Sequence, residues 1–358
     1  MIKCAQLIFG VLPIFLVACG GGGAGNTQVA RDYSATFQPL PRDAIHPAIN
    51  PYSAEKAALG ELLFWDPILS GDQDVACASC HHPDFGWADG RATSVGVGGV
   101  GLGPERFGEQ QTPIHAPTVA NTAFTGLKVN DDLGNFSAGP FFWDLRAQDL
   151  EAQALGPLKN SIEMLGEQVS EQEIFTVIEQ RLQAIDEYQW LFAQAFPESE
   201  AISITQVGQA IATFQRTLHD SNTRFDRFLS GETEVFTEQE ITGLNKFIDE
   251  GCARCHSGPM LSDNQLRPAQ PVIRNKPAVR TASLRNIGNT APYMHDGSEQ
   301  TLRDAIELYD ERGDLEVSIG GGDISDIEPF LRTLDSPSLT RAVPESVPSG
   351  LTVGGNIQ

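Results

Sequence analysis

Apolar residues recur at helical spacing in a few blocks, and the stretches between those blocks have no period. The run Ser53–Phe64 places its apolar residues on a helix with Ser53 at the N-cap. Ser170-Glu171-Gln172-Glu173 is a capping box predicted to open a helix that continues to about Phe196. A further helix is predicted over Thr205–Leu229, with Val207, Ile211, Phe214, Leu218 and Phe225 as its apolar positions. Thr237-Glu238-Gln239-Glu240 is a second capping box, and its helix runs through Leu244, Phe247 and Ile248 to Gly251. A last helix begins near Thr301 and reaches about Arg312. Residues 83–140 are rich in Gly, Pro, Asn and Asp and read as a long irregular region. Strand signals are sparse, so the expected fold is mainly α with long irregular loops.

The N-terminus stands apart from this pattern. A short basic start precedes an apolar run, Leu7–Val17, that is too short to span a bilayer and reads as a signal segment. It ends in Leu16-Val17-Ala18-Cys19, followed by four glycines. That arrangement resembles a bacterial lipoprotein signal over residues 1–19, with Cys19 as the lipidated residue and 20–43 as a flexible linker. An ordinary secretory signal with a chance cysteine is the simpler alternative, and both imply export.

Charge narrows the partners. The formal net charge of −23 argues against nucleic acid and against an anionic membrane surface. It suits a basic protein partner such as a small basic cytochrome, or simply a well-solvated surface. Gly96-Val97-Gly98-Gly99-Val100-Gly101 fits a nucleotide-binding glycine pattern. No strand precedes it and Pro104 follows, so it reads as a flexible loop.

Six cysteines decide the chemistry. Cys4 and Cys19 belong to the leader. The other four form Cys77-Ala78-Ser79-Cys80 and Cys252-Ala253-Arg254-Cys255, and such pairs could make disulfides or a zinc site. Each is followed at once by histidine, His81 and His256. Two thiols at this spacing can add to the two vinyl groups of a porphyrin, and the next histidine then reaches the iron. The chain is therefore read as carrying two covalently bound haem c groups. Each half has one layout of helix, haem motif and irregular chain, which reads as an internal duplication. An irregular region such as 83–140 can wrap a cofactor of that size. The sixth iron position decides function, and His46, His115, His219, His295, Met164, Met260 and Met294 are the side chains left to fill it. His82 cannot easily reach the far side of the ring that His81 holds.

The residues from about Ala57 to Leu334 resemble the bacterial diheme cytochrome c peroxidases and their relative MauG. The matching segments are Leu59-Gly60-Glu61-Leu62-Leu63-Phe64-Trp65-Asp66-Pro67, Ala116-Pro117-Thr118 and Phe142-Trp143-Asp144-Leu145-Arg146. Gln153, Gly156-Pro157, Glu163-Met164, Leu284-Arg285-Asn286 and Ala291-Pro292-Tyr293-Met294-His295-Asp296-Gly297 follow in the same order. The resemblance implies two cytochrome c-like haem domains, a peroxidatic one over 44–215 and a C-terminal one over 216–345. It implies hydrogen peroxide as substrate at the N-terminal haem, Glu163 as the distal acid–base group, and Gln153 and Pro157 as lining of that pocket. Trp143 matches the tryptophan between the haems, where an oxidisable indole can relay an electron. Read alone, Glu163 is a surface residue and Trp143 a core aromatic. The family includes dimers.

Departures from the family are informative. The peroxidases ligate the C-terminal haem with methionine twelve residues after His-Asp-Gly, and here that position is Tyr309, as it is tyrosine in MauG. Leu302, Ala305, Ile306 and Tyr309 share a helical face, so Tyr309 also reads as a core tyrosine. As a ligand, phenolate would favour Fe(III) and give a low potential. No histidine lies between Pro83 and Ile114, where the peroxidases often carry a displaceable haem ligand, which implies an N-terminal haem open to peroxide without prior reduction. The family's inter-haem calcium would use carbonyls of Thr290 and Pro292, but its asparagine position is His115, and imidazole is a poor calcium ligand. Leu145 replaces a glycine and Ala282 a proline.

Two functional classes follow. One is a peroxidase-class enzyme whose oxidising equivalents are filled by a small cytochrome or copper protein, or by a residue of a protein substrate. The other is an electron-transfer cytochrome or haem sensor without turnover, with a blocked first haem and no need of Glu163 or Trp143.

Overall fold

In the computed structural model, which describes residues 31–273, 276–311, 317, 319–339 and 343–358, Ser53 caps the first helix through Lys56 N. This helix, α1, spans Ala54–Trp65 and stops at Asp66-Pro67. The Asp66 carboxylate takes over there, accepting from Ile68 N, from the Tyr188 hydroxyl at 2.6 Å and from the Ser349 hydroxyl at 2.7 Å. It thus ties the C-terminal tail to the first haem motif's entry. Residues 83–140 are irregular as expected, holding only short 3₁₀ turns and isolated bridges. A short helix, α2 (Leu150–Leu155), follows, capped by Asp149.

Two predicted helices are each broken in two. The expected Ser170–Phe196 helix is α3 (Ile174–Gln183) and α4 (Asp186–Ala195). Ser170 spends its hydroxyl on the Glu173 carboxylate, 2.6 Å away, and 171–173 form a turn, so the helix starts later than the capping box suggests. Ile185 is extended and separates the pair. The expected Thr205–Leu229 helix is α5 (Ile204–Thr217) and α6 (Arg224–Leu229). Asp220 breaks it by accepting from Asn222 N and from the hydroxyls of Ser336 and Ser338, after which Thr223 and Asp226 cap α6 as a new box. Thr237 and Glu240 do open α7 (Glu238–Asp249), and α8 (Leu302–Glu311) lies where the last helix is predicted.

Two elements were not predicted. β1 (Leu266–Ile273) and β2 (Lys276–Arg280) pair antiparallel with an irregular register. α9 (Gly321–Arg332) starts in glycines and contains Pro329, both of which mask a helix in sequence. The chain is mostly helical with little sheet.

Tyr33–Gln358 pack together around two large apolar clusters. One holds α1, α3, α4 and α5 with Ala78 of the first haem motif, and the other holds α6 to α9 with Ala253 of the second. Each is closed by a helix crossing at a glycine. A Cβ at Gly60 would sit 1.9 Å from Ala210 O of α5, and one at Gly243 would sit 1.9 Å from Asp326 O of α9. Beside them lie Phe214 and Phe330, four residues further along in each case. This is the duplicated layout of the sequence expressed as packing. Part of the stretch read as linker is packed too, since Phe37 sits on Phe225 and Leu40 N donates to Asp226.

Candidate active site

None of the four cysteines of the two motifs is paired in a disulfide. Each pair opens a 3₁₀ turn, Cys77–Ser79 or Cys252–Arg254, in which the second cysteine's N–H bonds to the first cysteine's carbonyl. Before any attachment, burial pushes the Cys77, Cys80 and Cys252 thiols up to about 12 and raises Cys255. Among the described residues no group of three or more His, Cys, Asp and Glu is gathered to hold a bare metal ion, so the two pairs do not meet in a zinc site.

Both histidines are set as iron ligands are. His81 Nδ1 lies 3.3 Å from Trp87 O, and His256 Nδ1 lies 3.0 Å from Leu261 O. A carbonyl only accepts, so Nδ1 carries the proton and Nε2 keeps its lone pair. Burial lowers His81 to about 4 and lowers His256 as well, which keeps both rings neutral, the form that binds a metal. These residues fit covalently attached haem.

A cavity of about 400 Å³ lies at the first motif. Cys77, Cys80 and His81 line it together with Glu163, Gln153, Pro157 and Trp143. Glu163 sits in a single π-turn, Ser161–Leu165, capped by Asn160. Asn160 Oδ1 accepts from Ile162 N, and Asn160 Nδ2 donates to Glu163 Oε1 at 2.8 Å, which aims the carboxylate. The turn is clamped from both sides. Gly71 N donates to Met164 O and Val97 N to Ile162 O. A Cβ on Gly96 would meet Ile162 O at 2.0 Å and Glu163 O at 2.4 Å, so only glycine lets this loop lie against the turn. Arg106, buried, staples the loop by donating to Val95 O, Gly96 O and Gly101 O. The glycine-rich stretch is a loop, as its sequence suggests, and it acts as a support for Glu163.

Arg146 also lines the cavity, stacked on Phe142 at 3.7 Å and paired with Asp144 at 2.8 Å. Burial lowers its pKa while the Glu163 charge opposes that, so the two lie within electrostatic reach. The motif containing Arg146 was visible in the sequence, but its role in the lining was not. Arg280, Thr122 and Gln215 were missed for a different reason, since no local pattern marks them.

Of the candidates for the sixth iron position, His115 and Met164 reach the larger cavity. His115 Nδ1 is engaged by Arg91 O at 2.7 Å. His219 is held between Arg216 O and Arg42 O, and His46 is lowered to about 4, chiefly by burial. Neither lines a cavity beside the motifs. His295 packs edge-on against Trp143 with ring centres 6.4 Å apart. Trp143 Nε1 donates to His115 O at 2.8 Å. Met260 and Met294 line a second cavity of about 100 Å³, which shares Trp143, His115 and Arg280 with the first.

Thr290 and Pro292 lie on that smaller cavity with His115. Its lining holds no carboxylate and does include the Arg280 guanidinium, a poor set for calcium. Tyr309, on α8, is half-buried against the second apolar cluster, to which Cys252 and Met294 also pack. Neither Tyr309 nor His256 lines the two cavities. Cys19 lies outside the described residues.

Comparison with known proteins settles the family. A model of the family "Di-haem cytochrome c peroxidase" matches residues 54–234. The cytochrome c551 peroxidase of Pseudomonas aeruginosa is 31% identical over 323 residues, covering 84% of this chain and 84% of that protein. The chain belongs to the di-haem cytochrome c peroxidase family. The methylamine utilization protein MauG of Methylorubrum extorquens is 32% identical over 323 residues, covering 85% of this chain and 83% of that protein. A solved MauG-like protein associated with microbial copper homeostasis superposes with a TM-score of 0.69 at 29% identity, over 84% of this chain and 95% of that one. The diheme peroxidase BthA of Burkholderia thailandensis shares the fold, with a TM-score of 0.62 at 19% identity over 88% of this chain and 93% of that one. The protein is thus a peroxidase-class diheme oxidoreductase. No helix among its described residues is long and apolar enough to cross a membrane.

Proposed function

We propose that this diheme peroxidase works in the MauG-like manner, with hydrogen peroxide reduced in the larger cavity and the oxidising equivalents shared with a His256/Tyr309-ligated centre. The observation that carries this reading is the lining of one cavity by Cys77, Cys80, His81, Glu163, Gln153, Pro157 and Trp143. Haem held at Cys77 and Cys80 would supply the redox chemistry for peroxide, and haem held at Cys252 and Cys255 would supply a second redox centre.

The chain's own residues do the rest. His81 and His256 would hold the two irons through Nε2. The Glu163 carboxylate takes a proton from one peroxide oxygen and returns it to the oxygen that leaves as water. Asn160 holds that carboxylate in place, while Gln153 and Pro157 shape the space in front of it. Trp143 lies in the wall shared by both cavities and serves as the relay between centres. Tyr309 provides a hard anionic ligand to the second centre. Calcium has no part in this scheme, because the residues offered by Thr290, Pro292 and His115 suit it poorly. The protein is exported, with residues 1–19 as a lipoprotein signal, and anchored through a lipid at Cys19. Residues 44–215 form the peroxidatic domain and 216–345 the C-terminal one. Electrons come from a small cytochrome, a copper protein or a residue of a protein substrate.

One observation favours the electron-carrier reading. Met164 is buried in the same cavity as His81, and a thioether on that iron would close it. Replacing Glu163 separates the two. We expect Glu163→Gln to slow peroxide turnover by about 10²–10⁴-fold while the resting spectrum is unchanged. Full turnover in that variant would refute the assigned role.

A further inference from the structure

Arg280 ends β2, and its backbone N–H donates to Trp143 O at 2.8 Å. The residue lines both cavities. Its Nε is buried without a hydrogen-bond partner, and burial alone pulls the guanidinium down to about 10, with no carboxylate acting on it. The lack of a counter-charge sets it apart from two other arginines. The buried guanidiniums of Arg216 and Arg285 rest on Glu151 at 2.6 Å and on Asp226 at 2.8 Å. A desolvated charge without a counter-charge is costly, and an anion held against this wall would supply one. Thr122, which also lines both cavities, has a buried hydroxyl with no partner. The other cation in the larger cavity, Arg146, is already paired with Asp144.

A fork of guanidinium donors plus one hydroxyl suits a carboxylate. A free anion would have to enter a protein of net charge −23. A carboxylate delivered covalently with its carrier meets no such barrier. We infer that Arg280, assisted by Thr122, binds a propionate carboxylate of the haem attached at Cys77 and Cys80. Through its backbone bond to Trp143, the same residue ties that anchor to the wall between the cavities. The inference rests on haem occupying the larger cavity as set out above.

The test uses the full-length holoprotein and its Arg280→Gln and Arg280→Lys variants. Haem is first counted per chain in the unsubstituted protein, and fewer than two would overturn the functional reading itself. With two present, redox titration resolved by haem and the propionate bending band in resonance Raman address Arg280. Arg280→Gln is expected to shift the first haem's midpoint potential negative, because a cation near the iron is lost, and to move its propionate band. Arg280→Lys should restore the potential in part but not the band, since ammonium keeps the charge and loses the fork. An unchanged potential and band in Arg280→Gln, or changes confined to the second haem, overturn the assignment. So does an acetate-dependent spectral change that Arg280→Gln abolishes without altering potential, which would mean a free carboxylate. If Arg280→Gln fails to fold or to load haem, the Raman band of Arg280→Lys decides in the same way.

Discussion

Glu163 receives its direction from Asn160, three residues back, and its position from glycines far away in sequence. Read alone, Asn-Ser-Ile-Glu-Met looks like a surface turn, so its candidacy came from the family resemblance. The haem motifs were different, because two thiols and a histidine at fixed spacing state their chemistry locally. Tyr309 lies between these cases. Its helix and its apolar face could be read from periodicity, but nothing in that periodicity separates a core tyrosine from an iron ligand. It packs on the same apolar cluster as Cys252 and Met294. Tyr309→Met exchanges a hard anionic ligand for a neutral thioether, which favours Fe(II). A rise in the second haem's midpoint potential is expected in equilibrium redox titration. An unchanged potential would show that Tyr309 is a core residue.

At the scale of elements, capped helices with one apolar face were legible, and breaks inside long periodic runs were not. The period survives across Ile185 and across His219–Asn222, so the sequence alone reads through both. What breaks the second run is Asp220, whose partners Ser336 and Ser338 lie more than a hundred residues away. α9 was hidden by Pro329 and its glycine start, and β1–β2 by proline and by an irregular register. The loop around Gly96 shows how such a miss bears on function. An alanine there adds a methyl group where the Ile162 and Glu163 carbonyls already lie, and the π-turn must give way. Gly96→Ala should therefore lower peroxide turnover by at least tenfold, with the haem content of the wild type. Steady-state kinetics beside a haem assay checks this, and unaltered turnover would mean that the turn tolerates displacement.

Across the whole molecule, the two halves repeat a scheme. In each, a helix leads to a haem motif, crosses a later helix at a glycine and leaves the motif histidine tied to a nearby carbonyl. The repeat is not carried into the surroundings of the two motifs. The first half gathers Glu163, Gln153, Pro157 and Trp143 around its motif, whereas the second sets Tyr309 among apolar neighbours. On the function proposed above, the net charge of −23 predicts association with a basic donor that weakens as salt rises. The central claim is that the first haem is open and the pair shares oxidising equivalents without help. Rapid mixing of the fully oxidised protein with stoichiometric hydrogen peroxide, with no reductant present, tests it most directly. A prompt spectral change involving both haems is predicted. Six-coordinate low-spin spectra at both irons with no response to peroxide, or a response only after reduction, would contradict it.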